Sequence, residues 1–117
     1  MSVTPKPGQP VRGSTTGRPV MAALDLLGRR WALRLIWELR DDPVGARDLR
    51  QRCDGMSSSV LYDRLKELGE AGLLEKDDQG RYRLSEIGST LGAAILPLIR
   101  WSDDWQATQK SRPGRGY

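Results

Sequence analysis

Residues 46–84 of this 117-residue chain read ARDLRQRCDGMSSSVLYDRLKELGEAGLLEKDDQGRYRL. Apolar residues recur every three or four positions as far as Leu68, and from Leu73 they follow a strand-like alternation. The first spacing is typical of an amphipathic helix and the second of a half-buried strand. Asp54-Gly55 and Asp77-Asp78-Gln79-Gly80 have the composition of turns. The stretch therefore predicts a short helix, a turn, a second helix and a two-stranded hairpin.

The predicted boundaries follow from capping residues and breakers. The short helix covers about Ala46 to Cys53, and Ser57 is the expected N-cap of the next helix, about Ser58 to Ala71. The strands are Leu73 to Lys76 and Arg81 to Leu84. A mainly α fold with a small β-hairpin in this order is typical of a winged helix-turn-helix. The second helix of that motif commonly enters the DNA major groove.

The flanking sequence adds helices on both sides of this stretch. Pro19 suits the first turn of a helix that Gly28 ends, and a second helix is predicted from about Arg30 to Arg40. After the hairpin, Ser85 can cap a long last helix. Pro97 lies inside that helix and predicts a kink or a break near residues 93–96.

Charge divides the chain into three parts. Residues 1–18 and 110–117 carry six basic residues and no acidic one, which leaves a net charge of −2 on residues 19–109 of a chain whose total is +4. We predict a disordered basic N-terminal arm over 1–18, one folded domain over 19–109 and a disordered basic tail over 110–117. Residues 29–52 hold seven Arg against four acidic residues, so the acidic domain has one basic end.

Composition excludes several classes of function. The chain has no His and a single Cys, which excludes a zinc site of Cys and His within one chain and any catalysis that needs a His base. It also has no Gly-rich phosphate loop and no evident nucleophile–base pair, so we expect neither an enzyme nor a cofactor. No apolar run is long enough for a membrane span, and no secretory signal is present. We therefore predict a cytoplasmic protein.

A helical wheel separates the two faces of the fourth helix. With Leu61, Leu65 and Leu68 inward, the residues that face outward are Ser59, Tyr62, Asp63 and Lys66. Ser59 and Tyr62 can hydrogen-bond bases or phosphates, and Asp63 could accept from a cytosine amino group or hold a neighbouring Arg in position. Lys66 suits phosphate or guanine. Ser57 and Ser58 add backbone N–H groups at the helix N-terminus, where phosphate is favoured.

Basic residues flank this helix. The candidates for phosphate contact are Arg47 and Arg50 on the third helix and Arg81 and Arg83 on the exposed face of the hairpin. The acidic hairpin tip favours shallow contact there. Arg64 falls on the edge of the wheel, and two alternatives stay open: an ion pair with Glu38 or Asp48, or a phosphate contact.

The run from Ala23 to Trp101 resembles the HxlR family of bacterial winged-helix transcription regulators, relatives of the MarR group, and the resemblance covers about residues 19–105. The motifs that carry it are Leu27-Gly28-Arg29-Arg30-Trp31, Met56-Ser57, the set Leu61, Arg64, Leu65 and Leu68, Ala71-Gly72-Leu73-Leu74, and the run from Tyr82 to Gly88. The chain departs from the family in lacking a cysteine before the first helix and in its short hairpin loop. The resemblance implies a homodimer on double-stranded DNA that carries a roughly palindromic operator.

The implied dimer joins through the first and last helices. The residues that would form it are Val20, Leu24, Leu27, Ile95, Leu98, Trp101 and Trp105, which together are more apolar surface than a small domain should expose. The alternative for each is the intramolecular core, which must claim some of them. A transcription regulator bound to the nucleoid is the function implied. The alternative is a winged-helix effector- or protein-binding module with weak or no DNA binding.

The cysteine and the tryptophans each have two interpretations. Oxidation of Cys53, beside the turn that sets the recognition helix, could shift that helix, whereas a buried and inert side chain is the usual state of a free cysteine. Trp31 and Trp37 suit core packing. Trp101 and Trp105 suit either the dimer contact or a pocket for a small aromatic effector.

Overall fold

The computed structural model describes residues 4–9 and 17–110. Its helices are α1 (Pro19–Leu27), α2 (Ala32–Glu38), α3 (Ala46–Arg52), α4 (Ser58–Glu70) and α5 (Glu86–Lys110), and its strands are β1 (Leu74–Lys76) and β2 (Tyr82–Leu84). The mainly helical fold with a two-stranded hairpin after the second helix of a helix-turn-helix confirms the predicted winged helix-turn-helix.

The core lies where α2, α3, α4 and the hairpin meet, and it also takes in Leu26 of α1 and Ile95 of α5. Leu35, Ile36, Leu49, Leu61 and Leu68 are its largest fully buried apolar side chains. Of the four tryptophans, only Trp31 and Trp37 pack against this core, each half-buried, as predicted (the other two are exposed). Leucine therefore supplies most of the buried volume in a chain that has no Phe.

The hairpin is antiparallel, with Leu74 opposite Leu84 and Glu75 opposite Arg83. Its second strand also pairs with Val44, just before α3. The amide of Val44 donates to the carbonyl of Tyr82 at 2.8 Å, and the amide of Tyr82 donates back at 2.9 Å. The sequence did not predict this bridge. It fixes the wing against the start of the helix-turn-helix.

Two predicted helices differ from those observed. The second begins at Ala32 rather than Arg30, because Trp31 adopts a left-handed backbone conformation with φ 75° and ends the turn that joins α1 to α2. Of the kink or break predicted near residues 93–96, the break is wrong, because α5 continues through Pro97 to Lys110, and the kink stays a prediction. Pro97 has no N–H to donate to the carbonyl of Ala93 four residues earlier, and Ala93 is an exposed residue.

The predicted arm and tail fall partly outside the described residues. Residues 1–3, 10–16 and 111–117 are not described. Within residues 4–9, Thr4 is buried and its hydroxyl donates to the carboxylate of Glu70 at 2.8 Å. The domain boundaries at 18/19 and 109/110 stay predictions, and α5 includes Lys110, the first residue of the predicted tail. In the described part of the chain, no helix is long and apolar enough to cross a membrane.

Candidate nucleic-acid interface

The N-terminus of α4 is built as its sequence predicts. Ser57 has extended backbone angles, and its hydroxyl oxygen accepts a hydrogen bond from the amide of Val60 at 3.2 Å, so Ser57 is the N-cap. Leu61, Leu65 and Leu68 are buried. This packing fixes the rotation of α4 about its own axis and therefore decides which side chains face solvent.

The outward face of α4 contains the four predicted groove residues. Ser59, Tyr62, Asp63 and Lys66 are all exposed, and Tyr62 is 55% exposed, an unusual degree for a large aromatic side chain. The ammonium of Lys66 lies 3.9 Å from the carboxylate of Glu70, a weak surface pair that leaves it available to another anion. In residues 4–9 and 17–110, the ion pairs of α4 involve Arg64, Lys66, Glu67 and Glu70 and do not include Asp63.

A polar cleft lies between α3 and the start of α4. It has a volume of about 750 Å³ and is lined by Arg47, Arg50, Asp54 and Ser57 among others. The Nε of Arg50 donates to the carbonyl of Met56 at 3.4 Å, which places its guanidinium beside the turn of the helix-turn-helix. Ser58, the first residue of α4, is exposed at the same edge. The helix N-terminus and two guanidinium groups there make a surface that favours a phosphate.

The wing arginines each have an acidic partner. The Nε of Arg81 lies 3.0 Å from Asp77, and the Nε of Arg83 lies 3.2 Å from Glu75 across the hairpin. Asp77 also accepts the backbone N–H groups of Arg81 and Gln79, each at 2.9 Å. These bonds, chiefly the one from the Arg81 N–H, lower the pKa of the Asp77 carboxyl from its ordinary value. The wing is therefore closer to neutral than its arginines alone suggest.

The predicted ion pair of Arg64 with Glu38 or Asp48 is wrong, whereas its contact with phosphate stays a prediction. Its guanidinium pairs with Glu67, one turn along the same helix, and its Nε donates to the carbonyl of Arg30 at 3.0 Å. Glu67 also pairs with Arg29 from the turn after α1. Glu67 was not predicted from the sequence. The i, i+3 spacing from Arg64 was the one available signal, whereas the contact with Arg29 depends on tertiary packing.

The predicted dimer residues divide between surface and core. Val20, Leu24, Leu98, Trp101 and Trp105 are exposed, Leu27 is half-buried, and Ile95 belongs to the core with 5% exposure. Ile95 is therefore not a surface residue, because it lies on the side of α5 that packs on the domain. Three more exposed apolar residues lie on α5 and were not predicted as dimer residues: Ile87, Leu96 and Ile99.

The tryptophans of α5 form a stacked pair on the surface. The ring centres of Trp101 and Trp105 lie 5.5 Å apart with 18° between the ring planes. An apolar cavity of about 380 Å³ between α1 and α5 is lined by other residues, including Ala22, Leu26, Ile87 and Leu91. Trp101 and Trp105 do not line this cavity.

Cys53 is fully buried, which confirms the core alternative for its environment. Burial raises the pKa of the Cys53 thiol above its ordinary value, so the reactive thiolate is disfavoured. No group of three or more acidic or Cys side chains that could hold a metal ion occurs in residues 4–9 and 17–110.

Comparison with known proteins decides the family. The model of the HxlR-like helix-turn-helix family matches residues 26–110. The chain belongs to the HxlR-like family. This match includes the helix-turn-helix, the wing and all of α5, and it confirms the resemblance seen in the sequence.

The relatives of this HxlR-like protein are named as transcriptional regulators. An uncharacterized HTH-type transcriptional regulator of Mycobacterium tuberculosis is 34% identical over 105 residues, which cover 83% of this chain but 65% of that protein. The chain thus spans about two thirds of that relative. The HTH-type transcriptional regulator YodB of Bacillus subtilis is 28% identical over 99 residues, 80% of this chain and 88% of YodB. These names are not those of enzymes, in agreement with the composition.

Solved structures support the same fold. The quinone-bound YodB of B. subtilis superposes with a TM-score of 0.68 at 30% identity, covering 73% of this chain and 94% of YodB. A possible HxlR-family transcription factor from Thermoplasma volcanium superposes with a TM-score of 0.65 at 28% identity, covering 73% of this chain and 82% of the other. The HxlR-like chain therefore shares both sequence and three-dimensional arrangement with this group.

Proposed function

We propose that this chain is a bacterial, sequence-specific, DNA-binding transcriptional regulator that acts as a homodimer on an inverted-repeat operator. The observation that carries the proposal is the exposed face of α4, where Ser59, Tyr62, Asp63 and Lys66 present polar groups on the second helix of a helix-turn-helix. Membership of the HxlR-like family and the names of the relatives support it. Such a protein works in the cytoplasm and is associated with the nucleoid while it is bound to DNA.

The groove residues divide into readout and anchoring groups. Ser59, Tyr62 and Asp63 can bond base edges, and Asp63 suits the amino group of a cytosine. Lys66, Arg47 and Arg50 supply the positive charge that phosphates attract. Because residues 19–109 carry a net charge of −2, electrostatic attraction by the domain depends on these local basic residues rather than on its net charge.

We assign the wing a minor share of the binding energy. Arg81 and Arg83 would have to exchange their contacts with Asp77 and Glu75 for a phosphate. That exchange replaces one ion pair by another and gains little. Contact of the wing with the DNA backbone therefore adjusts the fit more than it drives association.

The proposed dimer uses α1 and the second half of α5. Leu24 and Trp105 are more than half exposed in the single chain, as are Val20 and Trp101. Exposed apolar surface of this kind favours an interaction site. A two-fold axis through it would pair two copies of α4 about one DNA turn apart, which is the arrangement an inverted repeat requires.

The test of DNA binding is an electrophoretic mobility shift with duplexes from the promoter regions beside the gene, repeated across salt concentrations. Lys66→Ala and Arg47→Ala should weaken binding to all duplexes alike. Each should also reduce the slope of log affinity against log salt concentration by about one. Tyr62→Ala should instead change the ranking of duplex sequences. Lys110→Ala, at the far end of α5, is the charge-matched control. A folded dimer that binds no duplex at low salt would refute the proposal.

The dimer has its own test by sedimentation velocity. Leu24→Glu and Trp105→Glu should each yield monomers, because a charge would then be buried without a partner. Tyr62→Glu is the matched control, since Tyr62 and Trp105 are equally exposed, at 55% and 54%, but lie on different faces. A Trp105→Glu protein that stays dimeric would place the interface elsewhere.

A small aromatic effector is the second candidate partner. Its support is the YodB structure solved with a quinone and the apolar cavity of about 380 Å³ beside α1 and α5. That volume is typical of small-molecule pockets. A 1,4-benzoquinone should raise the melting temperature of the parent, whereas the cavity-filling variant Ala94→Leu should respond less. Saturable ligand binding together with failure to bind any duplex would favour the effector-binding module over the DNA regulator.

A further inference from the structure

The turn between α1 and α2 holds an unusual backbone. Trp31 has φ 75°, and it is the one non-glycine residue with positive φ among residues 4–9 and 17–110. A bulky side chain rarely adopts this conformation, which persists only where neighbouring groups hold it in place. The carbonyl of Trp31 accepts the amide of Leu35 at 3.0 Å, so this conformation starts α2. The turn therefore fixes how α2 leaves α1.

The groups that hold this turn come from the recognition helix. The Nε of Arg64 donates to the carbonyl of Arg30 at 3.0 Å, beside the strained residue. The carboxylate of Glu67 pairs with both Arg64 and Arg29, and Arg29 also lies 3.9 Å from Asp25 of α1. The side chains of Glu67 and Arg29 are only 12% and 16% exposed. Charges so shielded from water are coupled more strongly than surface pairs.

This network joins the two functional surfaces of the chain. Glu67 lies eight positions after Ser59 and five after Tyr62, on the flank of α4 between the groove face and the buried leucines. Arg29 and Arg30 follow directly after α1, which carries the exposed residues Val20 and Leu24. One carboxylate therefore ties the helix proposed for the dimer to the helix proposed for the groove.

We propose that Glu67 is a positioning residue that fixes the orientation of α4 relative to α1 and thereby the spacing between operator half-sites that the dimer accepts. This inference rests on the proposed function. Two copies of α4 held rigidly about a two-fold axis fit one separation, whereas loosely held copies fit several. Each added base pair moves a half-site by about 3.4 Å and turns it by about 35° around the DNA axis. A rigid link therefore makes the dimer strict about spacing.

Neutralising Glu67 leaves two arginines facing each other without their shared acid. Glu67→Gln keeps the shape of the side chain but removes the charge that holds Arg29 and Arg64 together. We expect the turn at Trp31 to lose its support from α4, and α4 to sample a wider range of orientations. The groove residues themselves are unchanged, so recognition of each half-site should persist.

The test measures affinity for a series of duplexes that carry two identical half-sites with the spacer shortened or lengthened by one and two base pairs. For the parent, one base pair of change should weaken binding by more than about tenfold, and for Glu67→Gln by less than about threefold. Glu38→Gln is the matched control. Glu38 is 17% exposed and also pairs with two arginines, Arg34 at 2.8 Å and Arg52 at 3.9 Å, but it links α2 to α3.

A second variant keeps the inference testable if Glu67→Gln does not fold. Arg64→Lys retains the positive charge and removes the Nε–H that bonds the Arg30 carbonyl, so it should relax the spacing preference in the same direction. The inference would be overturned if both variants kept a sharp preference for one spacer length, or if Glu38→Gln lost that preference equally. Neither result would contradict the proposed DNA-binding function. Failure of the parent dimer to bind any duplex would refute the proposed function and this inference with it.

Discussion

Gly88, in the first turn of α5, lies directly against the main-chain carbonyl oxygen of Leu73. A β-carbon at position 88 would fall well inside contact distance of that oxygen, and the hydroxyl oxygen of Ser85 would lie 3.3 Å away. The same Leu73 carbonyl accepts the amide of Ser85 at 2.9 Å. The close approach therefore fixes the start of α5 against the residue that precedes β1, and only a side chain of one hydrogen fits.

Gly88→Ala should destabilise the fold by about 2–3 kcal/mol, because either the backbone of Leu73 or the start of α5 must move. Gly69→Ala is the matched control: Gly69 is also helical and an added β-carbon there meets nothing within 4 Å. That change should stabilise the protein by about 0.5–1 kcal/mol. Urea unfolding of both variants measures the difference, and equal effects of the same sign would contradict the packing described.

Ser85→Ala should cost more stability than Ser57→Ala. The hydroxyl of Ser85 donates to the carbonyl of Gly72 at 2.5 Å and accepts from the amide of Gly88 at 3.1 Å, so it joins the end of α4 to the start of α5. Ser57 accepts one cap bond, from Val60. We expect losses of about 2 and about 1 kcal/mol respectively. Thermal unfolding followed by circular dichroism gives both values, and a larger loss for Ser57→Ala would reverse the expected order.

Cys53 should react slowly with thiol reagents in the folded protein. Its side chain is fully buried and burial raises the pKa of the thiol, so the thiolate population at neutral pH is small. Reaction with 5,5′-dithiobis(2-nitrobenzoate) should become fast only when urea unfolds the chain. Rapid modification of the folded protein at neutral pH would instead favour a redox role for this cysteine.

Cys53→Ser should destabilise the protein more than Cys53→Ala. Serine places a hydroxyl among apolar side chains, at a cost of about 1–3 kcal/mol when it lacks a partner. Alanine removes only the sulfur. Comparison of the two urea midpoints checks the order, and a serine variant as stable as the parent would show that the site supplies a hydrogen-bond partner.

The wing should loosen in acid. The N–H of Arg81 and the other donors favour the ionised form of Asp77, so the folded-state pKa of that carboxyl lies below its ordinary value of 3.8. The stabilisation is thus present above that ordinary value and is lost as the pH falls through the lower folded-state value. The amide resonances of Gln79 and Arg81 should shift with a midpoint below pH 3.8. Asp77→Asn should abolish this transition, and a midpoint above 3.8 would contradict the hydrogen bonding described.

Local pattern predicted the wing and the recognition helix well. The structure has Ser57 as the N-cap, Leu61, Leu65 and Leu68 buried, and Tyr62 exposed. All three features follow from residue spacing within a single helix. The proposed dimer surface was predicted less well. A helical repeat shows which residues share a face, but it does not show which part of that face packs on the core and which part is exposed. Ile95 is buried while Leu98, one turn later, is exposed.

The sequence by itself determined the order of helices and strands, because each depends on periodicity, capping residues and turn residues within a few positions. Only the tertiary structure decided how the charged residues pair and how the helices join. Arg29 meets Glu67 across 38 positions of sequence, and Arg64 bonds the turn at Arg30 rather than either acid predicted for it. Such contacts depend on which helix faces approach within a few ångströms, and no local spacing encodes that approach. The left-handed backbone of Trp31 belongs to the same class, because neighbouring elements rather than its own preference hold it.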